Sequence, residues 1–346
     1  MTTRGVTLAA LLAALSRPSW WLLALAGFLV RGGVLLFVVA IVMLPSPLVL
    51  SNVLEPVIVP IDLGGANLVN VAPLLAAGGV LIAGLLVGSW IGAATEVALI
   101  REARLAMADD GMTARPAIDG QPGGQRLTGR VATTHLLAHL PTALALGLGS
   151  IRVVSVAYLE LTSPFEVATP LVVRVVLGAA GPIAAVVLVW LFGEIVGGIA
   201  ARRIVLDDEP VLGGLRTAVR DLVRRPFSVA LPALTTTLVL AVDLAAVLAI
   251  VAFAWDEVRD RLLESTIDGG ALIVALLAFV ATWIAALALT GLIAAWRSAA
   301  MSFEAERAGG ERRRETAAAP DPGGTIGASP GRRPGDWSTG DRGGSL

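Results

Sequence analysis

The sequence predicts an all-α membrane protein: a polytopic bundle of six transmembrane helices in three parallel hairpin units, with interfacial amphipathic helices before spans 1, 3 and 5. Three observations carry that prediction. Hydrophobic residues make up 56% of the chain and charged residues 15%, with a mean hydropathy of +0.80, whereas soluble domains carry about 25% charged residues. Six continuous apolar stretches approach or exceed the roughly 20 residues that a helix needs to cross about 30 Å of hydrocarbon. Arginine, finally, gathers in alternate connections between those stretches.

The composition also removes chemistry. There is no cysteine, and every basic residue is arginine, a bias expected of a GC-rich bacterial genome. Disulfides, thiolate nucleophiles, cysteine metal sites and Schiff-base lysines are therefore excluded. His135 and His139 are the two histidines.

The spans fall at about 20–44, 71–97, 142–161, 171–200, 227–255 and 271–296. Strands are disfavoured because these runs are continuously apolar and do not alternate. Residues 6–15 are short enough for a signal-peptide core, but the chain stays apolar to Leu44 without a clear cleavage site, so an uncleaved first span is expected. Arg4 and Arg17 precede span 1. Arg101, Arg104, Arg115, Arg126 and Arg130 lie between spans 2 and 3, and Arg202, Arg203, Arg216, Arg220, Arg224 and Arg225 between spans 4 and 5. Residues 45–70 and 162–170 contain no arginine. The positive-inside rule then places both termini in the cytoplasm, in a bacterial inner membrane.

Two stretches share a pattern: "LSRPSWWLLAL" at 15–25 and "LVRRPFSVALP" at 222–232. With Pro18 aligned on Pro226, 5–15 falls on 213–223, and both segments have helical apolar spacing. In the second, Arg216, Arg220 and Arg224 recur every four residues, as expected of a helix lying among anionic headgroups. Proline then suits the first turn of the next helix, where a missing N–H costs nothing. A third copy, "RVATTHLLAHLP", ends at Pro141. The returning spans also repeat: "SWIGAATEVALIR" and "WLFGEIVGGIAARR" each have an arginine nine residues after a glycine. Gly84, Gly88 and Gly92, and likewise Gly193 and Gly197, suit close helix packing. Gly178, Gly181 and Pro182 predict a kink in span 4.

Charges within the spans are the candidate sites. Arg31, Arg152 and Asp243 fall roughly 20, 17 and 26 Å past their entry prolines. An ionised group at the bilayer centre costs about 2.5–3.5 kcal/mol and faces protein, water or a partner. One reading pairs Arg31 with Asp243 to fix helix register. The other has Arg31 and Arg152 holding an anionic group such as a lipid phosphate, with Asp243 orienting one guanidinium. Arg174, at the start of span 4, is expected to snorkel.

A second cluster, Glu96, Glu194, His135 and His139, lies towards the cytoplasmic ends of the spans. Two histidines and two glutamates invite comparison with a metal site, but without an HExxH frame they are better read as interfacial hydrogen-bonding groups. No catalytic residues, metal or cofactor are expected. The acids at 207–209 read as a solvated linker, and "EARLAMADDGMTARPAIDGQPGG" from Glu102 to Gly124 as a polar loop. Residues 45–70 form an apolar outer segment. The membrane domain is expected to cover 1–303 and a disordered cytoplasmic tail 304–346.

The six-span pattern with "GGLRTAVRDLVRRPFSVALPAL" leading into a span resembles a loose group of bacterial membrane proteins. It is similar to the membrane domain attached to some glycerophosphodiester phosphodiesterases. The resemblance covers most of 5–300 and implies a membrane module that contacts lipid; it contains no catalytic motif. The expected function is thus a non-enzymatic module binding lipid, through anionic headgroups at the cytoplasmic interface, or a partner membrane protein, with no nucleic acid. The alternative is a small-solute or lipid transporter using the charges in the outer half of the bundle.

Overall fold

A computed structural model describes residues 3–39, 41, 59, 67–109, 124–162, 171–264 and 268–318, and among them there is no strand. In chain order the helices are α1 (Thr3–Ser16), α2 (Pro18–Phe28), a π-helical turn (Leu29–Gly33), α3 (Val34–Val39), α4 (Leu68–Asp109), α5 (Gly124–Thr162), α6 (Leu171–Gly178), α7 (Ala180–Asp207), α8 (Val211–Arg224), α9 (Pro226–Leu263) and α10 (Gly269–Ala318). Six stretches are long and apolar enough to cross a membrane: Pro18–Val38, Leu68–Asp109, Gly124–Glu160, Ala180–Asp207, Val229–Leu263 and Gly269–Gly310. They match the six expected spans, and the chain is a multi-pass helical membrane protein. The chain divides into two compact units, the first running from Met1 to Arg307 and the second beginning at Ala308.

The two arginine–proline junctions share a backbone conformation. Arg17 has φ −128° and ψ 81°, and Arg225 has φ −135° and ψ 59°; each is followed by a proline in the first helical turn. Proline's ring pushes the preceding residue out of the helical region, so α1 and α8 stop there as separate helices. The third expected junction differs. Helix α5 runs without a break through Pro141, so no separate helix precedes span 3. One missing N–H inside so long a helix is tolerated by the flanking turns.

Three further boundaries depart from expectation. The loop expected from Glu102 is helical to Asp109, and α5 already begins at Gly124; residues 110–123 lie outside the described residues, as does most of 45–70. The tail expected from residue 304 begins as helix, because α10 continues to Ala318; Phe303, Glu304 and Glu306 are buried. Residues 319–346 lie outside the described residues. Span 1 contains a break that sequence periodicity does not reveal, the π turn holding Arg31. Gly32 there has φ 110°, a conformation that favours glycine. The kink expected in span 4 is present as the break at Ala179 between α6 and α7.

Apolar packing is concentrated towards one end of the helices. Val6, Ala10 and Ala14 of α1 pack with Trp20, Leu99, Ala103, Ala299 and Phe303. Next to them Ala93, Val97 and Ile100 meet Leu127 and Val131 of α5 and Ala201, Ile204 and Val205 of α7. Alanine is the commonest residue of the first cluster and lets backbones approach closely, a usual means of helix association in lipid. Indole N–H groups tie α1 down: Trp21 donates to the Ala14 carbonyl at 2.7 Å and Trp296 to that of Thr7 at 3.1 Å. Elsewhere Phe37, Trp255, Phe279 and Trp283 form an aromatic cluster between α3, α9 and α10.

Candidate functional site

Large exposed apolar side chains run along α4 from Leu68 to Ile91, along α5 from Leu136 to Leu159, and along α7 as far as Phe192. Beyond Ile91 and Phe192, and before Leu136, the same helices are mainly buried. A layer of charge occupies that boundary. Glu96 of α4 accepts hydrogen bonds from Arg31 of the π turn at 2.6 Å and from His135 of α5 at 2.7 Å, and Arg202 of α7 stands 3.5 Å away. Glu194 of α7 accepts from Arg297 of α10 at 2.6 Å and lies 3.3 Å from His139. Five of the six spans contribute to this layer.

The local sequence explains the approach. His135 and His139, four residues apart, share one face of α5, and their rings lie 6.3 Å apart and nearly parallel. That face meets glycines. A Cβ on Gly193 would be 2.8 Å from His139 Nδ1, and one on Gly197 would be 2.9 Å from His135 Nδ1. Gly92 likewise gives passage to the Arg31 side chain, which also donates to the Gly92 carbonyl at 3.0 Å. Arg202 donates to the carbonyls of Gly198 at 2.6 Å and Ser298 at 3.1 Å. The Nε groups of Arg202 and Arg297 are buried without a partner among the described residues.

Each carboxylate is occupied by guanidinium and imidazole donors, so neither stands free as a general base. A guanidinium against each carboxylate also opposes cation binding, and among the described residues no group of three or more His, Asp or Glu is placed to hold a metal ion. What the layer does chemically is join helices: paired buried charges are retained only where their geometry is well satisfied, and breaking one partner is costly.

The two groups of candidate residues therefore fare differently. Glu96, Glu194, His135 and His139 come together. Arg31, Arg152 and Asp243 share no hydrogen bond or ion pair among the described residues. Arg31 joins Glu96; Asp243 is buried on α9 and accepts from Thr290 of α10 at 3.3 Å; Arg152 is exposed on α5. Arg174 pairs with Glu160, near the end of α5, at 3.0 Å. Arg202 and Arg297, the cations that complete the layer, were not among the candidates. The available signal was that two glutamates in apolar stretches each require a cation.

A second arrangement lies at the end of α7. Arg203 reaches Asp207 at 3.0 Å and Asp221 of α8 at 3.3 Å. Arg130 of α5 donates to the Asp208 carboxylate at 2.5 Å and to the carbonyls of Asp208 and Glu209. Asp208 itself takes the left-handed conformation, φ 54°. Asp207 and Asp208 are exposed, as a solvated linker would have them, and they also bond Arg203 and Arg130, while Glu209 contributes its carbonyl to the corner. The corner sets α8 against α7, with Gly214 and Ala218 buried on Val196, Ala200 and Ile204. Its opposite face is exposed and carries Leu212, Val219 and Val223 beside Arg216, Arg220 and Arg224. Part of that face forms a shallow groove of about 530 Å³ lined by residues from Leu215 to Arg224.

No family model matches the chain, and no curated protein or solved structure matches it either.

Proposed function

We propose that the chain is a non-enzymatic module of the bacterial cytoplasmic membrane, with both termini in the cytoplasm, that binds anionic lipid through the exposed face of α8. One observation carries this reading: α8 turns an apolar row and an arginine row to the outside together, while its glycine–alanine side packs on α7. Apolar residues flanked by arginines suit a helix whose one edge enters the acyl boundary while guanidiniums reach phosphates. The arginine-rich and arginine-free connections support the same orientation. The resemblance to phosphodiesterase-linked membrane domains agrees with contact to lipid.

The test is native mass spectrometry of the full chain with phosphatidylglycerol or phosphatidylcholine. Each surface arginine contributes about 1 kcal/mol towards an anionic surface. The triple variant Arg216→Gln, Arg220→Gln, Arg224→Gln should therefore lose about a hundredfold in phosphatidylglycerol retention, with phosphatidylcholine unchanged. Equal retention of phosphatidylglycerol by both proteins refutes the reading.

A second reading, a small-solute or lipid transporter, draws on the breaks in spans 1 and 4 at the Arg31 turn and at Ala179, since discontinuous helices recur at transport sites. Solute flux in proteoliposomes that disappears on Arg31→Gln would favour it.

A further inference from the structure

Within the spans, the charged side chains described above have partners in the chain, with one exception. Arg31 and Arg202 meet Glu96, Arg297 meets Glu194, Arg174 meets Glu160, and Asp243 meets Thr290. Arg152 has no hydrogen bond or ion pair among the described residues, and it stands exposed in a part of α5 whose neighbours Leu148 and Ile151 are 73% and 68% exposed. A guanidinium facing hydrocarbon at this depth costs about 2.5–3.5 kcal/mol unless something meets it.

Headgroups are poorly placed to meet it. The exposed belt of α5 runs from Leu136 to Leu159, so Arg152 lies about 24 Å from one edge and about 10 Å from the other. Helical side chains lean towards the helix N-terminus. Arg152 therefore leans towards the distant edge and away from the near one, the reverse of what snorkelling requires. A second copy of the chain is no better a source. The carboxylates described in the spans, Glu96, Glu160, Glu194 and Asp243, are already bonded, and a symmetric contact would set one Arg152 against another.

The remaining face is suited to a helix. Leu144, Gly147, Leu148, Ser155 and Leu159 recur at helical spacing beside Arg152, and Gly147 has open space where a side chain would be. Small residues among leucines permit close approach of a second backbone in lipid. We propose that this face of α5 docks a transmembrane helix of a different polypeptide, one that carries an aspartate or glutamate at the level of Arg152. The interaction is independent of the lipid-binding face of α8.

The test uses the full chain in its native membrane with a photoreactive residue at Leu148 or at Ser155, in backgrounds carrying Arg152, Arg152→Leu or Arg152→Lys. The expected result is one heterologous protein adduct at both positions. Its yield falls about tenfold in Arg152→Leu, equivalent to 1.4 kcal/mol, and persists in Arg152→Lys. Exchanging the partner's intramembrane acid for arginine together with Arg152→Glu should restore the adduct. If Arg152→Leu alters elution or thermal midpoint, Arg152→Gln takes its place. Adducts to lipid alone, to a second copy, or to a protein without an intramembrane acid overturn the proposal, as do an absent adduct and a yield indifferent to Arg152.

Discussion

The Glu96 carboxylate of α4 lies 2.6 Å from the Arg31 guanidinium, sixty-five positions earlier in the chain. Through it the first two spans are joined at the point where span 1 departs from regular α-helix. Arg202 and His135 converge on the same carboxylate from two more spans. Glu96 thus has more interhelical partners than Glu194, whose partners are Arg297 and His139.

Removing Glu96 leaves two guanidiniums facing each other without an anion. Glu96→Ala is expected to lower stability by about 3–5 kcal/mol, the cost of orphaning a buried charge. The double variant Arg31→Met, Glu96→Leu should recover part of that loss, because the apolar pair avoids the desolvation cost of Arg31 and Glu96 while Arg202 remains without its anion. Thermal or denaturant unfolding in a fixed detergent measures both, and no recovery in the double variant would count against the pairing.

Coupling should follow contacts and not the repeat. A double-mutant cycle on Arg31 and Glu96 is expected to give an interaction energy of about 1–3 kcal/mol, whereas a cycle on Arg31 and Asp243 should stay within about 0.5 kcal/mol. The two residues of the second cycle occupy corresponding spans of the repeat but bond to different helices. Comparable coupling in the two cycles would mean that Arg31 and Asp243 also communicate directly.

The contrast between those cycles marks what sequence can disclose here. Six spans were legible because apolar runs are local and continuous. The junctions at Pro18 and Pro226 were legible because proline acts on the residue beside it. Pro141 follows a leucine where the other two follow arginine, and α5 continues through it, since helices on both sides outweigh one lost bond. The residues Glu96, Glu194, His135 and His139 were visible as polar intrusions in apolar text. Their partners were not, because Arg202 is 106 positions from Glu96 and Arg297 is 103 from Glu194. Depth counted along a straight helix placed Arg31 near Asp243; the π turn and the gap at Gly92 send it to Glu96 instead.

Glycines should divide by what a methyl group would meet. A Cβ on Gly193 would come within 2.8 Å of His139 Nδ1 and 2.9 Å of the Ala138 carbonyl, whereas one on Gly84 would meet nothing within 4 Å. Gly193→Ala is therefore expected to cost about 1–3 kcal/mol, the range for overpacking a fitted contact. Gly84→Ala should be neutral or stabilise by up to about 1 kcal/mol, since it only restricts the unfolded chain. Unfolding midpoints of the two variants, taken in the same bilayer mimetic, test the distinction. Equal losses would mean that Gly84 faces a backbone in the membrane after all.

The corner between α7 and α8 rests on Arg130. Its guanidinium bonds the Asp208 carboxylate and the carbonyls of both Asp208 and Glu209, at the residue where the backbone turns left-handed. Those carbonyls cap the end of α7 and lead into Pro210 and α8, so the guanidinium replaces bonds that the helix end lacks. Arg130→Ala should free the corner while leaving Arg203 bonded to Asp207 and Asp221. The expected outcome is local: amide exchange across 208–214 rises by about tenfold, and the thermal midpoint of the bundle stays near that of the parent, because the apolar contacts of Ala218 on α7 are untouched. Exchange that rises equally in Ala201–Val205 would show instead that Arg130 supports the core of α7, and that α8 is held by that core and not by its corner.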